Sequence, residues 1–258
     1  MDAERRLTGI LAGHGSVVIA VSGGVDSMTL AVIAHRAHPQ ATHVVHAVSP
    51  AVPPHATQRV RAHADREGWS LRIIDAGEFA DPRYRANPVD RCYFCKANLY
   101  GRIRTLTGRV IASGTNVDDL GDFRPGLRAA AETGVVHPYV EAGIDKAGVR
   151  ALARGLSLAD LAELPAQPCL SSRIETGIAV DAVDLAFVDE VERRLAADLP
   201  PGATVRCRVT RAGIAVELGK DGLRHTEPLA ALAADLCADA GRRFLGVRPY
   251  RAGSAFLR

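Results

Sequence analysis

The sequence has no long hydrophobic run. Its strongest apolar stretch, Val17–Val21, is five residues, against the roughly 20 that a helix needs to cross a bilayer, so no membrane partner is expected. The first ten residues, MDAERRLTGI, mix charges and lack the apolar centre of a signal peptide. The expected compartment is the cytoplasm. A strong charge of one sign is also missing, since 32 Lys and Arg against 29 Asp and Glu leave a formal net charge of +3. That mild basic bias suits an anionic ligand and argues against nucleic acid as the main partner. Cysteines number only five. In a reducing compartment they read as core residues, metal ligands or reactive thiols rather than disulfides. Internal repeats and low-complexity tracts are lacking too, which excludes a solenoid.

What is present is ordinary for a globular chain of one large or two modest domains: 258 residues, 47% hydrophobic and 24% charged. Apolar runs at 17–21, 43–48, 71–74 and 110–112 read as buried strands, with helical patterns at 27–36 and 57–66 between them. This alternation predicts an α/β fold with a parallel, doubly wound sheet, whose ligands sit beyond the C-terminal strand ends. Residues 81–95 and 164–177 read as long, irregular and therefore functional loops. A helical pattern follows over 181–199, with Asp181 as N-cap and Val183, Phe187, Val191, Leu195 and Leu199 at helical spacing. Strand-like runs at 203–209 and 213–218, a helix over 229–240 and a strand near 244–247 complete a small C-terminal α+β unit. The expected domains are 1–177 and 178–258, the second shaping the substrate site and an oligomer contact.

Between the first strand and its helix stands Ser22-Gly23-Gly24-Val25-Asp26-Ser27. Glycines let backbone N–H groups close around phosphate oxygens, and the helix N-terminus adds partial positive charge. Ser22 and Ser27 add hydroxyl donors. Asp26 would repel a bare phosphate, which points to a bridging magnesium ion (Mg2+) or to a loop-ordering role. The plainer alternative is a tight strand-to-helix turn capped by Ser or Asp.

This hexapeptide resembles the SGGxDS signature of the PP-loop ATP pyrophosphatases, and the lysine of a Walker A loop is missing. The resemblance implies an adenine nucleotide alpha hydrolase-like fold and ATP cleaved between its α and β phosphates. A substrate oxygen is adenylated, and a nucleophile then displaces AMP. It further implies adenine near Ala47, at the end of the second strand, and a nucleotide contact from Gly114, Thr115 and Asn116.

Cys92 and Cys95 form a C-x-x-C pair, and Cys169 lies in Pro168-Cys169-Leu170-Ser171-Ser172-Arg173. The pair alone admits zinc, a redox dithiol or iron–sulfur ligation. No second spaced pair supplies a fourth zinc ligand. Three thiolates can hold a 4Fe-4S cluster with one iron open to sulfide, and three unlinked thiols remain the bland alternative. The segments NPVDRCYFCK, GTNVDDLGDFRPG, PCLSSRIETG and RPYRAGS resemble those of LarE-type sulfur transferases, in order along nearly the whole chain. The resemblance implies nickel-pincer nucleotide biosynthesis. A carboxylate of pyridinium biscarboxylate mononucleotide is adenylated and converted to a thiocarboxylate, in a homo-oligomer. Sulfur comes either from sulfide relayed by a 4Fe-4S cluster, here on Cys92, Cys95 and Cys169, or from the sacrificed Cys169.

Arg206 and Arg208 flank Cys207 on an expected strand and so share a face. The resemblance makes them a substrate-phosphate clamp; periodicity alone makes them a solvated face. Cys207 and Cys237 read as core. Glu192 falls at the spacing of a family active-site glutamate, yet it sits in a charged helix with Glu190, Arg193 and Arg194 and reads equally as a surface salt-bridge partner. Asp118, Asp119 and Asp122 could position magnesium or cap turns. Arg124 and Arg173 could bind phosphate or pair with carboxylates. Three rival readings stand beside this one: a tRNA-thiolating PP-loop enzyme, an ammonia-using synthetase, and a nucleotide sensor without turnover.

Overall fold

The computed structural model describes residues 2–121 and 123–251. α1 (Asp2–Gly13) leads to β1 (Val17–Val21), followed by α2 (Val25–Ala37), β2 (Thr42–Ala47), α3 (Pro54–Glu67) and β3 (Leu71–Ile74). After the short α4 (Pro82–Arg85), α5 (Arg91–Leu106) returns the chain to β4 (Val110–Ser113). Four more helices follow: α6 (Pro125–Glu132), α7 (Pro138–Glu141), α8 (Lys146–Gly155) and α9 (Ala159–Ala162). The four strands are all parallel, in the order β3-β2-β1-β4.

The sequence of β1, Val-Val-Ile-Ala-Val, explains its central place. Alternate side chains of a strand point to opposite faces. Val17, Ile19 and Val21 pack on one side with Leu7, Leu11, Met28, Tyr139 and Val149, while Val18 packs on the other with Tyr100, Ile103, Ile111 and Ala130. Helices therefore cover both faces, as a parallel sheet requires. The chain winds from β1 outward to β3 and then crosses to β4 on the opposite side of β1. That reversal opens a crevice at the C-terminal ends of β1 and β4, where ligands bind in sheets of this type.

The chain divides into two compact units, Met1–Asp81 with Asp90–Gln167 and Pro82–Val89 with Pro168–Arg258. The second unit holds α4, a 3-10 turn (Leu170–Arg173), α10 (Ala182–Ala197), β5 (Val205–Thr210), β6 (Gly213–Leu218), α11 (Thr226–Asp239) and β7 (Phe244–Pro249). β6 is central, antiparallel to β5 and parallel to β7. Asp181 caps α10 by accepting the Val183 N–H at 2.8 Å.

Two expectations need correcting. Residues 81–95 are not one irregular loop, because α5 begins at Arg91 and carries Cys92 and Cys95 in its opening turns. On α10, Val183 is 70% exposed, whereas Leu185, Val188, Val191 and Leu195 are buried. The inward stripe is thus set from Leu185 onward, and Val183 lies on the outward side of the capped first turn.

Candidate functional site

The glycine turn follows β1 directly and ends in α2, whose N-cap, Gly24, makes no side-chain cap bond. The first N–H groups of α2 are left without the Ser or Asp cap of the plainer reading, a condition that favours an anion there. Ser27 Oγ accepts the Ser22 N–H at 3.1 Å and lies 3.3 Å from Ser22 Oγ, closing the turn on itself. Gly23 has φ +85°, and a Cβ there would lie 2.9 Å from the Ala56 carbonyl oxygen of α3. Only glycine suits that backbone and that approach.

Asp26 is held from two sides. The Lys146 ammonium sits 2.5 Å from Asp26 Oδ2, and Asn116 Nδ2 donates to Oδ1 at 3.3 Å. The Tyr139 hydroxyl donates to the Asp26 carbonyl at 3.1 Å. Burial, and then the charge of Asp26, holds the Tyr139 pKa well above its ordinary value, so it stays a neutral donor. His46, at the end of β2, donates from Nδ1 to the Val21 carbonyl at 2.9 Å, which leaves Nε2 to accept from Thr57 at 2.9 Å. Burial lowers its pKa, outweighing the Val21 bond.

The second expected nucleotide contact, Gly114-Thr115-Asn116, touches the first. A Cβ on Gly114 would stand 2.6 Å from the Ser27 nitrogen. The missing side chain is what lets the turn after β4 close on the glycine turn. Thr115 Oγ1 lies 3.0 Å from Ser113 Oγ, which also meets His137 Nδ1 at 2.8 Å. Asp119 Oδ2 accepts the Asn116 N–H and Asp118 Oδ2 accepts the Lys146 N–H, both at 3.1 Å. These acids order the loop; Arg124 pairs with Asp119 at 2.6 Å. Asp122 lies outside the described residues. Ala47 ends β2 in register with Ile74.

Lys146 and Arg59, whose Nη1 donates to the Gly23 carbonyl at 2.8 Å, were not legible as site residues. Each stands on a helix with other cations, and its partner lies far away in sequence.

On α5, Cys92 and Cys95 are half-buried and three residues apart, on one side of the helix. Tyr93 between them donates to Glu132 at 2.7 Å and lies 3.9 Å beneath the Arg128 guanidinium. Asn98 ties the helix down, bonding the Phe94 carbonyl and Asp81, each at 2.8 Å.

Cys169, in the second unit, is exposed and opens the 3-10 turn. Its loop hangs on Arg173, which is 4% exposed. Arg173 Nη1 donates to the Pro168 carbonyl at 2.6 Å, the Cys169 carbonyl at 3.1 Å and Ser172 Oγ at 3.0 Å. Its Nε and Nη2 grip Glu192 at 2.9 and 2.8 Å. Burial acts to lower the Arg173 pKa, but Glu192 overrides it and the net shift is upward. Glu192 therefore turns inward, also accepting the Cys207 N–H at 2.9 Å, while Glu190 takes the surface pairs with Arg193 and Arg194. The surface role for Glu192 does not hold.

Arg208 is likewise buried rather than solvated. It donates to Glu217 at 2.8 Å and to the Ser172 carbonyl at 2.7 Å. Arg248 completes the other side of Glu217 at 2.9 and 3.1 Å. Arg206 lies 5.8 Å from the Tyr250 ring; burial and then the nearby Arg173 lower its pKa. Cys207 and Cys237 are fully buried, as expected, and burial pushes both thiols up. Of the segment RPYRAGS, residues 252–254 lie outside the described residues.

Among the described residues no group of three or more His, Cys, Asp or Glu could hold a metal ion. No helix among them is long and apolar enough to cross a membrane.

The parallel sheet, its flanking helices and the glycine turn at its switch point define an α/β protein consistent with the PP-loop superfamily. No family model matches the chain. It is 38% identical over 179 residues to an uncharacterized protein of Synechocystis sp., covering 68% of this chain and 66% of that one. To an uncharacterized protein of Methanocaldococcus jannaschii it is 26% identical over 183 residues, 69% of each chain. It is 28% identical over 188 residues to the pyridinium-3,5-bisthiocarboxylic acid mononucleotide synthase of Lactiplantibacillus plantarum, over 69% of this chain and 66% of that enzyme. The matches thus span 66–69% of each relative's length, just under two thirds for the Synechocystis protein and the Lactiplantibacillus synthase.

Proposed function

We propose that this chain is an ATP-dependent sulfur transferase of nickel-pincer nucleotide biosynthesis, converting a carboxylate of a pyridinium mononucleotide into a thiocarboxylate. The observation that carries it is the convergence of the Gly114 turn and Lys146 on the Ser22–Ser27 turn, at the switch point of the sheet. The similarity to the Lactiplantibacillus synthase supports the substrate class.

On this reading the N–H groups of the glycine turn and the Ser22 and Ser27 hydroxyls bind the β and γ phosphates. Asp26 would help hold the magnesium ion that accompanies the phosphates, and Lys146, 2.5 Å from its carboxylate, balances its charge. A substrate carboxylate oxygen attacks the α phosphorus, pyrophosphate leaves, and the acyl adenylate forms. A sulfur nucleophile then attacks the carboxyl carbon and AMP departs with the former carboxylate oxygen. Arg206 would bind the substrate phosphate with Arg208, buried against Glu217 and the Ser172 carbonyl, behind it, and Glu192, through Arg173, sets the loop of Cys169.

For the sulfur source this reading rests on donor type alone: Cys92, Cys95 and Cys169 are three thiols of the kind that ligate a cluster, although no metal-holding group of three is formed among the described residues. A 4Fe-4S cluster on them would supply an open iron that holds sulfide. Anaerobic purification with iron and acid-labile sulfide analysis tests that part. Stoichiometric iron and sulfide support it; their absence, with one turnover and dehydroalanine at position 169, supports the sacrificial route instead. The reaction itself is tested by incubating the protein with ATP, magnesium, sulfide and pyridinium-3,5-biscarboxylic acid mononucleotide. Mass spectrometry should show oxygen replaced by sulfur, with AMP and pyrophosphate as co-products. An unchanged substrate under all conditions would contradict the proposal.

A further inference from the structure

The Gly23–Gly24 peptide has glycine on both sides, so rotation of its plane meets little steric resistance. Its orientation decides what the turn offers a ligand. In a planar trans peptide the Gly23 carbonyl and the Gly24 N–H point in opposite directions. With one orientation the turn adds an N–H to the cradle; with the other it adds a carbonyl oxygen, which repels an anion.

α3 holds this peptide. Arg59 Nη1 donates to the Gly23 carbonyl at 2.8 Å and to Gln167 Oε1 at 3.1 Å. Both acceptors are neutral oxygens, and the guanidinium is partly withdrawn from water. Burial lowers its pKa, with Asp160 opposing. Two neighbours brace the same stretch from α3, the Ala56 carbonyl against Gly23 and Thr57 through His46 to Val21. A cation on a helix that does no more than sit in solvent would not be aimed at the one backbone carbonyl whose direction controls the turn.

In this structure the Gly24 N–H, turned into the cradle, makes a long bond to Ser22 Oγ at 3.4 Å, which a phosphate oxygen would replace. We propose that Arg59 is a positioning residue that locks the Gly23–Gly24 peptide in this orientation, and that Gln167 fixes the guanidinium for that task. The proposal rests on the reading of the glycine turn as an ATP site.

The test is calorimetric titration of the full chain with magnesium pyrophosphate and, separately, with AMP. Wild type is compared with Arg59→Ala, Arg59→Lys and Gln167→Ala, each checked for an unchanged melting profile. Loss of the lock should weaken pyrophosphate binding about tenfold in Arg59→Ala, the effect of one hydrogen bond to a charged group. AMP affinity should hold, and Arg59→Lys should recover part of the loss. Gln167 is exposed, so Gln167→Ala should fold in any case and lose about two- to threefold, a fraction of that same bond. Pyrophosphate affinity unchanged in Arg59→Ala, or in Gln167→Ala should the first variant not fold, overturns the lock. So does an equal loss for AMP, which would mean general disruption. A wild-type chain that binds neither ligand overturns the ATP reading itself, and the lock with it.

Discussion

Arg173 and Glu192 form a two-point ion pair, at 2.9 and 2.8 Å, in which both side chains are largely shielded from water. The same guanidinium holds the Pro168 and Cys169 carbonyls. Removing Glu192 strands a buried cation, which costs about 3–5 kcal/mol in comparable pairs. Glu192→Ala should lower the urea midpoint accordingly, and Cys169 should be alkylated faster by iodoacetamide as its loop loosens. A variant as stable as wild type, with an unchanged alkylation rate, would show that the pair does not hold the loop.

Lys146 is the counter-charge of Asp26, at 2.5 Å. Without it, Asp26 confronts the triphosphate uncompensated. Lys146→Met should raise the Kd for magnesium ATP by about tenfold, equivalent to ~1.4 kcal/mol. Adding Asp26→Asn should recover none of the loss, because the same carboxylate would hold the magnesium ion, and isothermal titration of both variants checks it.

Gly114 has no room for a methyl group, since its Cβ would lie 2.6 Å from the Ser27 nitrogen and 2.8 Å from its Cα. Both obstacles are backbone and cannot swing aside. Gly114→Ala should therefore destabilise the first unit by about 1–3 kcal/mol, the usual cost of overpacking. It should also weaken ATP binding, because the displaced atoms belong to the glycine turn. Thermal denaturation and ATP titration of the variant measure the two effects.

Burial is the leading cause of lowered pKa values at His46, His63 and His137, with Asp160 opposing it at His63 and Glu141 at His137. The folded chain then binds fewer protons than the unfolded chain on the acid side of neutrality. The stability these groups contribute is complete above the unfolded pKa of about 6.5 and is lost as pH falls through it toward the lower folded values. Urea midpoints should fall from about pH 7 to about pH 5, and the slope should flatten in His46→Gln, whose amide keeps a donor for Val21.

The four parallel strands and the glycine turn were legible because buried strands of a covered sheet read as continuous apolar runs, and because Ser-Gly-Gly has few other uses between strand and helix. The C-x-x-C pair was misplaced for a local reason. Asn87, Pro88 and Asp90 are loop signals, yet Asp90 is the N-cap of α5, so the helix opens directly out of the loop signals that hid its first turn. Glu192 shared its neighbourhood with Glu190, Arg193 and Arg194, so its inward turn was hidden; only the partner Arg173, distant in the chain, reveals it. Arg59 and Lys146 were invisible for the same reason. One cation among several on a helix looks solvated until the backbone carbonyl or carboxylate it meets is known.

The most direct measurement compares wild type with Cys169→Ser in the presence of ATP, magnesium, sulfide and pyridinium-3,5-biscarboxylic acid mononucleotide, following pyrophosphate and thiocarboxylate together. Both proteins should release pyrophosphate only when the mononucleotide is present, and only wild type should yield the sulfur-containing product. Pyrophosphate release indifferent to the mononucleotide, or equal thiocarboxylate from the Ser variant, would contradict ATP-driven sulfur insertion through Cys169.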